Sequence, residues 1–317
     1  MNFKNDVNAY KELISKELSA IYKNGLPNLY DPIHHILSGG KRLRPILCIL
    51  TTKCFKGNPE SALITATALE LLHNFTLIHD DIMDKDDFRH GKRTIHNRWN
   101  ESIAILSGDA ILALALNKLN TLKKYKSSVI EKFNLALIEV CEGQALDLVY
   151  ENEDLITLNE YFTMIDKKTG HMLGLCSELG SIISDQDIET QTKLKTYGML
   201  IGRAFQIQDD LLEITSDQSL MGKSLKSDFL LNKKTYISIL SNQIDKNRIK
   251  SYIDIAQNDF SKGINLYKKF LKEHNIFIET EKYIQAILVK ADKILNEIDV
   301  DMGYLHQYTT IILNRKF

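Results

Sequence analysis

The chain has 317 residues, of which 44% are hydrophobic and 26% charged, the balance of an ordinary folded protein and not of a disordered one. Forty Lys and Arg stand against 41 Asp and Glu, a formal net charge of −1, which disfavours a protein built mainly to coat nucleic acid. Only 15 Gly and 4 Pro interrupt it, which leaves room for long helices. Helical periodicity in fact runs from end to end. It predicts helices over 6–23, 43–56, 60–80, 100–120, 128–150, 158–178, 188–214, 233–243, 248–273 and 279–298, with no alternating strand pattern between them. The breaks, such as Gly25-Leu26-Pro27, Gly39-Gly40 and Gly57-Asn58-Pro59, are too short to be flexible linkers. The expectation is an all-α fold, one large single-domain helical bundle covering 1–317. Ser61–His79 and Ile103–Leu116 are apolar around most of their circumference, so both belong in its interior.

Cys48, Cys54, Cys141 and Cys176 are scattered without a CxxC pair, so buried free thiols of a reducing compartment are expected, and neither a disulfide framework nor structural zinc. The first 18 residues are polar and amphipathic, without the apolar core of a signal peptide. No run approaches the ~18 consecutive apolar residues of a membrane span. A soluble, cytoplasmic protein is expected.

Polar chemistry concentrates in two acidic clusters, each closing a hydrophobic helix. The first is Asp80-Asp81-Ile82-Met83-Asp84, in which Asp80 and Asp84 share a helical face and Asp81 lies about 100° to the side. Three like charges at the negative end of a helix dipole repel one another, and a divalent cation relieves that. Carboxylate oxygens of this kind suit Mg²⁺, which takes one or two carboxylates and completes its shell with water and phosphate. The second cluster is Gln208-Asp209-Asp210-Leu211-Leu212-Glu213, with Asp209 and Glu213 again one turn apart. Basic groups interleave with both: Lys41-Arg42 and Arg44 after Gly39-Gly40, Arg89-His90-Gly91-Lys92-Arg93, Lys167-Lys168-Thr169, Lys223, and Lys233-Lys234. Each alone reads most simply as a solvated surface. Together with the carboxylates they suggest two anionic groups, one bridged by Mg²⁺ and one held directly by Arg and Lys.

In this order the motifs GGKRLRP (39–45), HDDIMD (79–84), GQALDL (143–148), KTG (168–170), FQIQDD (205–210), GKSLKSD (222–228) and NKKT (232–235) resemble those of the trans-isoprenyl diphosphate synthases, the polyprenyl synthetase family. The resemblance implies an all-helical fold around a deep apolar cavity, with the two acidic motifs on opposing helices at its mouth. It implies Mg²⁺-dependent condensation of isopentenyl diphosphate with an allylic diphosphate, and a homodimer. Asp80, Asp81, Asp84, Asp209 and Asp210 match the family's metal-holding positions, with Glu213 where aspartate is usual. Arg89, Lys168, Thr169, Gln206, Lys223 and Lys233 match contacts to the allylic diphosphate or its metal shell. Lys41, Arg44 and His73 match those to isopentenyl diphosphate, and Gln144 and Asp147 line the cavity. Departures are His90 where a second arginine is usual, Arg93 at a common proline and Lys226 at a frequent glycine. In the family a bulky residue five positions before the first motif floors the cavity. Here it is Phe75, which with Thr76 implies a short product, farnesyl or geranylgeranyl diphosphate. By helical wheel alone, Thr76 and Leu72 lie closer to the Asp80 face, so geometry does not single out Phe75. Alternative readings are a class I terpene cyclase, which needs no second diphosphate site, a regulatory subunit of a heteromeric synthase, and a plain helical scaffold.

Overall fold

A computed structural model describes residues 3–21, 25–89, 91–215, 229–230 and 233–313; His90 and Lys223 lie outside them. Helices dominate, as expected, and the capping chemistry explains where they begin. The long helix α4 (Pro59–Met83) starts where the Asn58 side chain accepts the Ser61 N–H at 2.8 Å, with Pro59 supplying the helical φ. It follows α1 (Phe3–Ser19), α2 (Pro27–Leu37) and α3 (Leu43–Cys54). After it come α5 (Ile95–Arg98), α6 (Glu101–Leu119) and α7 (Lys126–Glu151). The Asn100 side chain caps α6 through the Ile103 N–H at 2.9 Å. A capping box between Thr157 and Glu160 opens α8 (Leu158–Ile165). Next are α9 (His171–Ile182), α10 (Ile188–Thr215), α11 (Tyr236–Asn258), α12 (Phe260–Glu273), α13 (Ile276–Asn296) and α14 (Gly303–Leu313).

Several boundaries differ from the sequence expectation. The segment read as one helix over 158–178 is α8 and α9 joined by a π-helical turn, Asp166–Gly170. The one read over 248–273 breaks at Asp259, whose side chain caps α12 through the Lys262 N–H at 3.0 Å. Asp245, at φ −155° and ψ 86°, kinks α11 in the gap expected between 243 and 248. Among the described residues the strands are two short pieces, β1 (Phe88–Arg89) and β2 (Lys92–Arg93), paired antiparallel.

The chain divides into two compact units: Met1–Ile138 with Met172–Gly198 and Leu295–Tyr308, and Glu139–His171 with Met199–Ile294 and Thr309–Phe317. In the first, α4 lies against α3 and α6, burying Leu47, Leu50, Leu69, Leu72 and Ile111 completely. In the second, α11 packs on α12 around Ile237, Phe270 and Leu271. Helices α4 and α6 have the length and mean hydropathy, 1.3 and 1.5, to cross a membrane. Most of the apolar stretch of α4 is buried, whereas α6 exposes Ile105 and Leu106 beside an exposed Asp109. All four cysteines are free; Cys48, Cys54 and Cys176 are buried as expected, and Cys141 is exposed.

Candidate active site

In the first unit the acidic cluster sits at the end of α4, with Asp84 as its C-cap. Asp81 is 2% exposed and is gripped by Arg89 Nε, while Arg89 Nη2 reaches Asp86 Oδ2 at 3.3 Å. Burial pushes the Asp81 carboxyl up to about 6, outweighing the guanidinium beside it. Asp80 and Asp84 are half-buried.

The GGKRLRP segment bends at Gly40 (φ +95°) and again at Arg42 (φ +54°), a left-handed pair that turns the chain before α3. Its three cations then separate. Arg42 goes inward, 4% exposed, donating to Glu70 Oε1 and to the Leu37 carbonyl. It therefore belongs to the core, a correction to the grouping of all three as anion contacts. Lys41 is exposed. Arg44 Nη1 donates to His73 Nε2 at 3.1 Å, which fixes that nitrogen as the unprotonated one. The β1–β2 pair is fastened to the end of α2, just before that segment: Lys92 Nζ donates to the Ser38 carbonyl at 2.9 Å, and His35 Nε2 meets the Arg93 carbonyl at 2.8 Å. The structure thus ties two of the basic motifs, some 50 residues apart in sequence, to one corner of the first unit. Phe75 is 9% exposed on α4, its ring meeting His79 edge-on at 4.6 Å, and Thr76 Oγ1 bonds the His73 carbonyl at 2.8 Å.

In the second unit Asp210 is buried and held on both oxygens. Tyr161 Oη donates to Oδ2 at 2.6 Å, the Tyr236 N–H to the same oxygen at 3.2 Å, and Gln206 Nε2 to Oδ1 at 3.1 Å. Burial nevertheless raises its carboxyl to about 6. Gln206 Oε1 accepts from Thr169 Oγ1 at 3.2 Å, and Lys168 Nζ pairs with Asp147. Asp210, Glu213 and Lys233 line a small pocket of about 40 Å³, backed by Phe229, Ile249 and Tyr267. Tyr161, Tyr236 and the Asp166–Arg203 pair were not singled out in the sequence. Only Arg203, a charge inside the apolar run MLIGRAFQI, carried a signal.

The expected cation is Mg²⁺. Among the described residues no three Asp, Glu, His or Cys side chains converge as a ready-made metal cage. A site completed by substrate phosphate and water does not need one: one or two hard carboxylates suffice. Both clusters offer hard carboxylate oxygens on side chains that are only part-buried, Asp80 and Asp84 in the first and Asp209 in the second. The donor set fits the ion.

The sequence profile of the polyprenyl synthetase family matches residues 26–273. A short chain isoprenyl diphosphate synthase of Methanocaldococcus jannaschii is 41% identical over 249 residues, 77% of this chain and 76% of that protein. A geranylgeranyl diphosphate synthase of Sulfolobus acidocaldarius is 31% identical over 97% of this chain and 96% of its own. The crystal structure of a geranylgeranyl pyrophosphate synthetase from Pyrococcus horikoshii superposes with a TM-score of 0.91 at 30% identity, covering 99% of this chain and 98% of the other. The chain belongs to the polyprenyl synthetase family, and it is a prenyltransferase.

Proposed function

We propose that this chain is a Mg²⁺-dependent short-chain trans-isoprenyl diphosphate synthase. It joins isopentenyl diphosphate head-to-tail to an allylic diphosphate and releases diphosphate. The reading is carried by the reach of the family match, since residues 26–273 take in both acidic motifs and all the basic ones. Lys41, Arg44 and His73 hold isopentenyl diphosphate, with His90 standing in for an arginine. Arg89, Lys168, Thr169, Gln206, Lys223 and Lys233 receive the allylic diphosphate. Asp80, Asp81, Asp84, Asp209, Asp210 and Glu213 are the Mg²⁺-holding set. Magnesium, when bound, neutralises charge developing on the departing diphosphate. Lysine and arginine donors aimed at the same oxygens add to that stabilisation. The allylic cation must meet the isopentenyl double bond before water does, so apolar walls keep the site dry. Leaving diphosphate takes the final proton, and no protein nucleophile is required.

Incubation with Mg²⁺, isopentenyl diphosphate and each allylic primer tests the reading. A prenyl diphosphate lengthened by whole isoprene units is expected. A hydrocarbon formed without isopentenyl diphosphate would identify a cyclase instead, and no product with any primer would refute the assignment.

Two substitutions probe the parts. Lys41→Ala raises the apparent KM for isopentenyl diphosphate about tenfold, as loss of a ground-state charge contact does, and changes that for the allylic primer little. Equal changes in both would mean that the two diphosphate sites are wrongly assigned. Phe75→Ala lengthens the product, because five residues of helix place that ring about 7.5 Å below Asp80, at the depth of a growing tail. Chain-length analysis of the products checks it, and an unchanged distribution from a folded enzyme removes Phe75 from that role.

The whole chain works as one synthase domain in the cytoplasm, a compartment that its four free thiols suit. It works as a homodimer. The support for a dimer is the apolar surface of the first unit: Ile105 and Leu106 on α6 and Leu135 and Ile138 on α7 are each about half exposed. Lipid is the poorer partner for that face, since the exposed Asp109 at mid-helix costs about 3 kcal/mol in a bilayer.

A further inference from the structure

Lys168 and Thr169 sit on the π-helical turn Asp166–Gly170. A π turn is rare and survives only where its surroundings impose it. Here α10 supplies one constraint through Arg203. Its guanidinium forks onto Asp166, Nε to Oδ1 at 2.9 Å and Nη2 to Oδ2. The same guanidinium lies 4.9 Å from the centre of the Phe162 ring. Phe162 stacks on Tyr283 at 5.4 Å, and Tyr283 on Tyr236 at 5.2 Å, so a column of aromatic rings backs the fork.

Two glycines supply the second constraint. A methyl group on Gly143 of α7 would lie 2.3 Å from the Lys168 amide nitrogen. One on Gly202 of α10 would lie 2.7 Å from the Gly170 Cα. Backbone meets backbone at both places, closer than any side chain permits. The turn is gripped at its start by Arg203 and along its length by Gly143 and Gly202.

We propose that the Asp166–Arg203 pair is a positioning device for prenyl transfer, which keeps this turn in its π form and so aims Lys168 and Thr169. The proposal rests on the reading above, in which those two residues serve the allylic diphosphate. An α turn in its place would take one residue fewer per closure and swing the following side chains by about 100°. Misplacement by about 1 Å already costs about a hundredfold in rate. Arginine is required because its planar fork engages both carboxylate oxygens, which a lysine ammonium does not.

Steady-state kinetics of purified full-length variants test this. In Arg203→Met, kcat falls about 10- to 100-fold, while KM for isopentenyl diphosphate stays within about threefold. Arg203→Lys falls between wild type and Arg203→Met. The isosteric Asp166→Asn lowers kcat likewise, and the double variant is no worse than the worse single one, because the pair acts as a unit. Lys168→Ala, assayed alongside, tests the underlying reading separately. Wild-type kcat in Asp166→Asn and Arg203→Lys beside an impaired Lys168→Ala overturns the positioning role. Wild-type kcat in Lys168→Ala overturns the reading beneath it. Should Arg203→Met fail to fold, the Asp166→Asn and Arg203→Lys pair carries the same comparison.

Discussion

Replacing Asp80 with alanine lowers turnover by about two to four orders of magnitude, and Asp209→Ala does the same, with both variants remaining folded. Stability is spared for a definite reason. Asp80 closes α4 where the helix dipole is negative and where Asp81 and Asp84 already repel it, so its removal relieves strain. Activity is lost because a metal-borne charge on the departing diphosphate is worth several kcal/mol, and each 1.4 kcal/mol is a factor of ten. Calorimetry gives a readout independent of turnover: the Mg²⁺-dependent part of allylic diphosphate binding weakens in both variants. Near-normal kcat in a folded Asp80→Ala protein, with unaltered Mg²⁺-dependent binding, would remove the first cluster from the metal-holding set.

The sequence made most helices legible because their apolar faces repeat at the helical period and their ends carry ordinary caps. What it hid had physical causes. Helix α2 begins at Pro27 and contains Pro32, a residue that reads as a breaker although the backbone accommodates it. The π turn at Asp166–Gly170 leaves no mark in residue spacing, since it is imposed by Arg203, Gly143 and Gly202 from other helices. The candidate site was legible as a set of motifs, because like charges clustered on apolar helices stand out against a neutral chain. The partition of each motif was not. Lys41, Arg42 and Arg44 look alike in sequence, yet of the three only Arg42, at the left-handed backbone position, is buried, against a glutamate 28 positions away. Likewise Asp209 and Asp210 are neighbours, and only the fold reveals that Tyr161, Tyr236 and Gln206 hold the second of them.

That inward arginine carries the largest stability effect expected of any single residue here. Arg42 and Glu70 are 4% and 3% exposed, and the Asn74 side chain bridges the Glu70 carbonyl at 2.8 Å and its carboxylate at 3.4 Å. Burial raises the Glu70 carboxyl above its usual range even with the guanidinium against it, a measure of how little water reaches the pair. Glu70→Ala leaves the Arg42 guanidinium buried with the Leu37 carbonyl as its remaining hydrogen-bond acceptor, and an uncompensated buried charge costs about 3–5 kcal/mol. Against the roughly 5–15 kcal/mol that hold a folded protein together, that is a large share. Thermal unfolding followed by circular dichroism should show the midpoint falling by about 10 °C. Glu70→Gln costs less, because its amide oxygen still accepts from Arg42. The double variant Arg42→Met, Glu70→Leu recovers much of the loss, since apolar groups of similar volume replace buried ion pairs at little cost. The Gly39–Arg42 loop that leads into Arg44 on α3 is anchored by the same pair, so Glu70→Gln also raises the KM for isopentenyl diphosphate more than that for the allylic primer. A Glu70→Ala protein that unfolds within about 0.5 kcal/mol of wild type would show that solvent reaches Arg42 and that the pair anchors nothing.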